Sequence, residues 1–425
     1  MNYKKFFFIT LILVAILSNN NFAQTRISSP YSRYGLGDLQ NNKYIRNISM
    51  GGISYGFRSP YGVNYTNPAS YTSFDTTSFV FETGVTSHFV QLTTTDLSQE
   101  SNYTSLSYLV FGFPVTKWWG SSIGLLPYSN VGYKISSYDV LEDIGKTKYL
   151  YEGSGGLNQF YFGNAFKIKN LSFGFNTSFV FGSIDKTRTV TFPDSLNFLA
   201  LRSKNSMQVN DFLFTYGLQY QKSLKKDLKT VFGIVYNASS SLNAKQDLLA
   251  YRFFSTSSGN ESIRDTLIND DNTKGNVKLP MGFGGGITIG KKDSWLVGLD
   301  FQSQNWKKYS SFGEKDSLKN SWMVSFGSEY TPKSSVTSSY LSRVHYRVGA
   351  RYNQTYLQIY NNNLDEYAVS FGVGLPLKRS KTTLNFGFEL GQRGTTDNNL
   401  IKEQFGRVIF SLSVYEFWFI KRRFD

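Results

Sequence analysis

The charged residues with the most regular spacing lie between Arg343 and Tyr356. Arg343, His345, Arg347 and Arg351 share one parity of this stretch, and the other parity is apolar or aromatic. Residues of one parity share a face in an extended chain, so the stretch predicts a strand with one basic face. Carboxylates that could form ion pairs with this basic face lie at polar positions of other predicted strands, namely Asp300, Glu329, Glu366 and Glu389.

Two kinds of chemistry fit this arrangement. The residues could form a cross-strand ladder of ion pairs and hydrogen bonds, which would be structural. They could also bind an anion or carboxylate, with arginine as a planar fork. We favour the ladder, because charge in the wall of such a sheet is costly unless it is partnered.

Catalytic and metal chemistry have few candidate residues in this chain. It has no cysteine and only two histidines, His88 and His345. The missing thiols exclude disulfide scaffolds, zinc fingers and thiol catalysis, and neither histidine has the spacing of a nucleophilic triad. The glycine-rich stretches 153–156 and 282–286 lack the Lys and Ser or Thr of a phosphate-binding loop. We predict no enzyme, no catalytic residue, no metal and no cofactor.

The first 23 residues have the layout of a secretory signal peptide. Lys4 and Lys5 precede an apolar run from Phe6 to Leu17, and Ala23 closes the segment. This run is shorter than the roughly 20 residues that a membrane-spanning helix needs. We predict export and cleavage after Ala23. The net charge of +15 is spread along the chain without a basic helix, so we expect no nucleic-acid partner.

Composition and alternation together predict an all-β fold. Aromatic residues make up 17% of the chain, and there are 37 glycines but only 9 prolines. Phe212, Phe214 and Tyr216, for example, alternate with Thr215 and Gly217. A soluble β-sandwich would alternate too, but Lys and Glu would then dominate its polar face. Here that face is rich in Gly, Ser, Thr, Asn and Gln, which favours a transmembrane barrel with a polar interior.

Fourteen antiparallel strands are predicted, an even number as bacterial outer-membrane barrels require. They span residues 77–91, 103–114, 119–136, 157–168, 171–190, 208–222, 228–245, 279–290, 294–304, 319–331, 342–357, 365–376, 382–392 and 405–419. The last strand must pair with the first to remove both sheet edges. Most connections after even-numbered strands are tight, and those after the first, third, fifth, seventh and ninth are long, which predicts periplasmic turns and outer loops. The connection 331–341 is longer than this rule expects. Residues 243–254 could be a separate strand, which would break the even count, and a count of 16 stays open.

The segment between the signal and the first strand, residues 24–76, is irregular and rich in Gly, Asn, Ser and Tyr. A barrel of fourteen strands is too wide for its own side chains to fill. Irregular backbone is tolerated inside it because the backbone does not face lipid. We therefore predict that residues 24–76 fold within the lumen of a barrel made by residues 77–425.

Two short motifs in this segment carry a family resemblance. Met50, Gly51, Gly52 and Asn67, Pro68, Ala69, placed ahead of fourteen strands, resemble the FadL family of outer-membrane transport proteins. In that family the N-terminal segment forms a hatch inside the barrel, which implies that these six residues are hatch residues here. The opening 29–37 and the ending 417–423 look like the Bacteroidetes branch, which includes PorV-like barrels.

The resemblance implies a passive outer-membrane transporter or channel for small hydrophobic compounds. Such a compound would bind among the outer loops and leave through a gap in the wall as the hatch moves. The alternative is a structural or accessory barrel subunit of an outer-membrane complex such as the type IX secretion system. The partners expected are outer-membrane lipid and lipopolysaccharide, the barrel assembly machinery during biogenesis, a small hydrophobic ligand, or another outer-membrane protein.

Overall fold

Fourteen antiparallel strands form the wall of a closed barrel in the computed structural model, which describes residues 29–40, 43–142, 144–194, 198–224, 227–255, 261–335, 337–378 and 380–418. The strands are β1 (Ser78–Thr93), β2 (Ser98–Pro114), β3 (Trp119–Leu141), β4 (Gly145–Ile168), β5 (Leu171–Thr191), β6 (Ala200–Ser223), β7 (Leu228–Asn237 and Ser240–Ser255), β8 (Glu261–Leu279 and Gly282–Lys291), β9 (Trp295–Gln304), β10 (Ser321–Tyr330), β11 (His345–Ile359), β12 (Asn362–Pro376), β13 (Thr383–Arg393) and β14 (Lys402–Phe417). The predicted all-β barrel is confirmed. The predicted signal peptide, residues 1–23, and the chain after Trp418 lie outside the described residues.

The barrel closes through its first and last strands, as predicted. β14 pairs with β1 from Lys402 opposite Thr93 to Phe417 opposite Ser78. β7 and β8 each consist of two segments. The segments 228–237 and 282–291, next to the short turns, pair with each other, and so do the outer segments 240–255 and 261–279. Pro280, which has no N–H to give to a ladder, interrupts β8. Residues 243–254 are therefore the outer half of β7, and the count stays at fourteen.

The two faces of the wall differ as the alternation predicts. On β6, Phe212, Phe214 and Tyr216 are exposed on the outer face, whereas Gln219 is fully buried on the inner face. Exposed aromatic side chains continue onto the neighbouring strands, for example Phe232 on β7. An outward apolar band around a polar interior is the surface that a bilayer requires of a barrel.

The wall is much taller on one side than the sequence predicts. Strands β3 to β8 run far beyond the apolar band. The outer stretch of β8, for example, is largely exposed from Glu261 to Asn276. The prediction of long outer loops after the third, fifth and seventh strands was wrong, because most of those residues continue the strands. Above the hydrocarbon both faces of a strand meet water, so the alternation that reveals a strand fades there.

The turns on the opposite side are short, as predicted. The connections 115–118, 169–170, 224–227, 292–294 and 377–382 join successive strands there. Lys169, Asp227 and Asp293 adopt positive φ in them, as tight turns require. The start of β1 and the end of β14 lie on the same side as these short connections. We take this side as periplasmic. The long periplasmic connection, 331–344, carries the short helix α2 (Tyr340–Arg343).

Short elements and an apolar core lie inside the wall. They are the 3-10 turns Pro30–Arg33 and Pro68–Ser73, the two-residue strand Asp38–Leu39 and the helix α1 (Ile45–Ile48), with Trp306–Lys308 and Ser310–Ser311 from the loop after β9. Leu36 packs there with Val131 of β3, Leu242 of β7 and Trp306. No helix in the described ranges is both long enough and apolar enough to cross a membrane.

Candidate functional site

Residues 29–77 hydrogen-bond to inward side chains on strands that lie on different sides of the barrel. Their partners include Gln159 on β4, Gln219 on β6, Asp300 on β9 and Ser370 on β12. These strands surround the lumen, so the segment lies within it.

The motif Asn67, Pro68, Ala69 is both a local cap and a wall contact. Asn67 caps the 3-10 turn by accepting a hydrogen bond from the Ala69 N–H at 3.2 Å, with Pro68 at the first helical position. The same side chain is fully buried and donates to the Tyr55 carbonyl at 2.8 Å. Gly217 on β6 leaves room for it, because a Cβ at that position would overlap the Asn67 amide. Asn67 therefore both caps the turn and packs against the wall.

The motif Met50, Gly51, Gly52 brings backbone directly against the wall. Gly51 and Gly52 have φ of +65° and +90°, which glycine adopts without strain. The Gly51 N–H donates to Ser370 Oγ on β12 at 2.9 Å, and Met50 is completely buried. Gly349 on β11 faces this turn with no side chain. The motif fits the wall because glycine is present on both sides of the contact.

The predicted charge ladder is assembled on the inner face of β10 to β14. The Arg347 Nε lies 2.7 Å from the Glu329 carboxylate, and Arg351 pairs with both Glu366 at 2.6 Å and Glu389 at 3.1 Å. These side chains are almost fully buried. Sequence reasoning missed two members. Arg46 of α1, whose guanidinium lies 2.8 Å from Glu329, ties the N-terminal segment to the ladder. Arg407 of β14 lies 2.7 Å from Glu389.

Two of the candidate charges lie outside this ladder. Asp300 accepts hydrogen bonds from the backbone N–H groups of Ser54 at 2.5 Å and Tyr55 at 3.0 Å, so it anchors the N-terminal segment. The structure places Arg343 in α2 of the periplasmic connection, where its guanidinium lies over the Tyr340 ring. β11 begins only at His345, because the chain turns through α2 before it enters the wall. Arg343 was therefore wrongly placed on the lumenal face of β11.

A second buried charge cluster, which sequence reasoning missed, holds the start of the described chain. Arg393 on β13 lies 2.6 Å from Glu403 on β14 and 2.7 Å from Asp38 of the N-terminal segment. Ser29 donates to Glu403 and accepts from Arg393. Arg393 and Glu403 are direct cross-strand partners, so the pairing register of the last two strands could have revealed them.

A cavity of about 330 Å³ lies between the N-terminal segment and the wall, and it mixes charged with aromatic and apolar side chains. Its lining includes Lys43, His88, Leu106, Tyr128, Trp322 and Arg351. The Lys43 ammonium is buried and has no hydrogen-bond acceptor among the described residues. Burial lowers the pKa of Lys43 to about 8, since the charged form loses its hydration.

The wall is split beside this cavity. β2 and β3 pair only from Leu109 opposite Leu125 to Pro114 opposite Gly120, and above that level the described residues of the two strands form no ladder. The strand Asp38–Leu39 pairs instead with the free edge of β3, and the Gln40 N–H donates to the Tyr128 carbonyl. The N-terminal segment thus covers one side of a seam in the barrel.

The two histidines have different neighbours. His345 Nδ1 hydrogen-bonds Thr331 Oγ1 at 2.7 Å near the periplasmic end, and His88 stacks on the Tyr103 ring at 4.4 Å. No group of three metal-binding side chains occurs in the described ranges.

Several solved structures of transporters share this fold. The chain is similar to the toluene transporter TbuX of Ralstonia pickettii, with 14% identity, a TM-score of 0.55, and 92% of this chain and 99% of that chain covered. The toluene transporter TodX of Pseudomonas putida has 15% identity and a TM-score of 0.56, with 90% of this chain and 99% of that chain covered. A FadL homologue of Pseudomonas aeruginosa has 11% identity and a TM-score of 0.57, with 88% of this chain and 98% of that chain covered. The predicted likeness to FadL-type barrels is confirmed at the level of the fold.

The family model described as BamG matches residues 3–425, nearly the whole chain. No curated protein matches the chain. The Bacteroidetes branch and the PorV-like detail, which rest on residues 29–37 and 417–423, stay predictions.

Proposed function

The chain belongs to the BamG family, and we propose that it is a barrel subunit of the machinery that assembles outer-membrane proteins. The family name marks a Bam protein, and the match over residues 3–425 is the observation that carries the proposal. This deepens one of the two functions expected from the sequence, an accessory subunit of an outer-membrane complex. It replaces the type IX secretion system with barrel assembly as the process served.

The tall wall supports a role in protein binding. The outer stretch of β8 pairs with β7 on one side, and on its other side the described residues form a ladder only at Val277 and Lys278. Ile263 and Leu267 are 61% and 51% exposed there, outside the hydrocarbon band. Exposed apolar side chains on a long strand edge are a surface that another protein can cover.

Shortening this wall should detach the partner and leave the barrel intact. We expect replacement of residues 247–272 by an Asn-Gly turn to preserve folding, because the lower pairing of Gln246 with Thr273 remains. Co-purification with other assembly subunits after gentle extraction should fall about tenfold or more, which corresponds to a loss of about 1.4 kcal/mol.

The matched control places the same Asn-Gly turn at Tyr360 and Asn361, the outer turn between β11 and β12, where the wall is short. Partner recovery should not change in this variant. A wild-type chain that is extracted as a lone barrel, with no stoichiometric partner, would overturn the proposal.

A second candidate function is passive passage of small hydrophobic compounds, as the sequence resemblance implies. It is supported by the seam between β2 and β3, by the adjoining cavity with its aromatic lining, and by the fold shared with hydrocarbon channels. In this candidate residues 24–76, with the six motif residues, form the hatch of an exported barrel in the outer membrane, and residues 77–425 form the barrel.

Closing the seam tests the second candidate. The chain has no cysteine, so Ser107→Cys and Pro127→Cys can be joined across the seam by a bis-maleimide. We expect cross-linking to abolish uptake of toluene into liposomes, because it closes the seam through which toluene would pass between the cavity and the lipid. Wild-type protein that speeds toluene entry no more than empty liposomes do would contradict this function. The unlinked double variant is the control.

A further inference from the structure

The periplasmic connection 331–344 is longer than the other turns on its side, and its described residues form a defined structure. The Lys333 N–H donates to the Ser342 carbonyl at 2.8 Å, and the hydroxyl groups of Ser339 and Ser342 hydrogen-bond at 2.8 Å. These contacts fold the connection back on itself and end it in α2. A barrel needs only two to five residues to join neighbouring antiparallel strands, so closing the sheet does not explain this element.

The connection begins and ends at a row of lipid-facing aromatic residues. Trp295, Tyr330 and Tyr346 are successive cross-strand neighbours on β9, β10 and β11, and all three are exposed on the outer face. Aromatic residues at this level form the girdle at the periplasmic membrane interface. The Tyr346 hydroxyl donates to the Leu341 carbonyl at 3.1 Å, which fixes α2 on the lipid side of the wall.

The side chains that α2 presents are apolar at its start and cationic at its end. Leu341 is 71% exposed and Tyr340 is 45% exposed. The Arg343 guanidinium lies 5.5 Å from the Tyr340 ring, and its Nε is buried without a hydrogen-bond acceptor among the described residues. Apolar residues beside a cation suit the boundary between acyl chains and phosphate groups.

We propose that residues 331–344 form a foot that lies in the periplasmic leaflet beside the barrel. Leu341 and Tyr340 enter the acyl boundary, and the Arg343 guanidinium binds the phosphate of a phospholipid. The occupant is lipid rather than protein because the foot continues the aromatic girdle, which already faces the bilayer. The foot widens the footprint of the barrel on one side and holds β10 and β11 at a fixed depth.

Spin labels on single cysteines test the position of the foot, and the chain has no cysteine of its own. A label at Leu341→Cys in phospholipid nanodiscs should collide with oxygen more than with a water-soluble nickel chelate. Leu299→Cys, at a lipid-facing position of β9, serves as the lipid reference. Ser335→Cys, exposed in the same connection, is the matched control and should show the reverse preference.

The outcomes are distinct. A label at 341 that meets the nickel chelate as freely as the label at 335 overturns the proposal, and so does a label shielded from both reagents, which would indicate a protein partner. Adding Arg343→Gln should make the 341 label shallower, since one phosphate contact is lost. An unchanged depth would overturn the phosphate contact.

Discussion

Replacing Gly349 with valine is expected to displace the N-terminal segment from the lumen and turn the closed barrel into an open pore. A Cβ at this position of β11 would overlap the backbone of Met50 and Gly51, which cannot move aside as a flexible side chain could. Valine suits a strand, so the wall itself should form normally. In planar bilayers the variant should show steady conductance close to that of a deletion of Thr25 to Ser73, whereas wild-type protein stays closed.

The matched control for this experiment is Gly285→Val. Gly285 lies on β8, and the nearest atom to a Cβ there is the Gly233 carbonyl oxygen at 3.8 Å, an ordinary van der Waals distance. This variant should remain closed. Heat-dependent migration on gels shows whether each barrel has folded. A folded Gly349→Val protein that conducts no more than the Gly285→Val protein would show that the segment does not seal the lumen.

Glycines in the strands were a readable sign of this contact, although not of its details. The run 282–286 contains four glycines, and glycine within a strand often marks the close approach of another backbone. In the structure a Cβ at Gly284 would meet the Tyr55 ring, and one at Gly286 would meet Asp300. Some inward glycines, such as Gly284 and Gly349, therefore mark where the N-terminal segment touches the wall, which no periodicity within the irregular segment could have shown.

The parts of the fold that lipid dictates were predictable from the sequence, and the parts that water surrounds were not. The alternation of β6 was visible because its outer face must be apolar from Phe212 to Tyr220. The outer stretch of β8 carries polar residues on both faces and was taken for a loop. Inward charges at equal parity, such as Glu329 and Arg347, proved to be direct cross-strand partners. Arg46 could not be placed beside them, because nothing in a turn-rich segment fixes its register.

The largest loss of stability is expected for Arg351→Met. Arg351 is the shared partner of Glu366 and Glu389, and all three side chains are at least nine-tenths buried. Removing the guanidinium leaves the Glu366 carboxylate without its partner in the lumen, while Glu389 keeps Arg407 at 2.7 Å. Breaking a buried ion pair from one side costs about 3–5 kcal/mol. The melting temperature of the folded band on gels should fall accordingly.

Two comparisons separate this effect from a general loss of charge. Adding Glu366→Gln to Arg351→Met should restore more than half of the lost stability, because the uncompensated carboxylate is then neutral and Glu389 is still paired. Lys134→Met breaks the Lys134–Glu152 pair, whose side chains are 51% and 36% exposed, and should cost less than about 1 kcal/mol. If the double variant melts no higher than Arg351→Met alone, packing of the arginine stem rather than charge balance holds this part of the wall together.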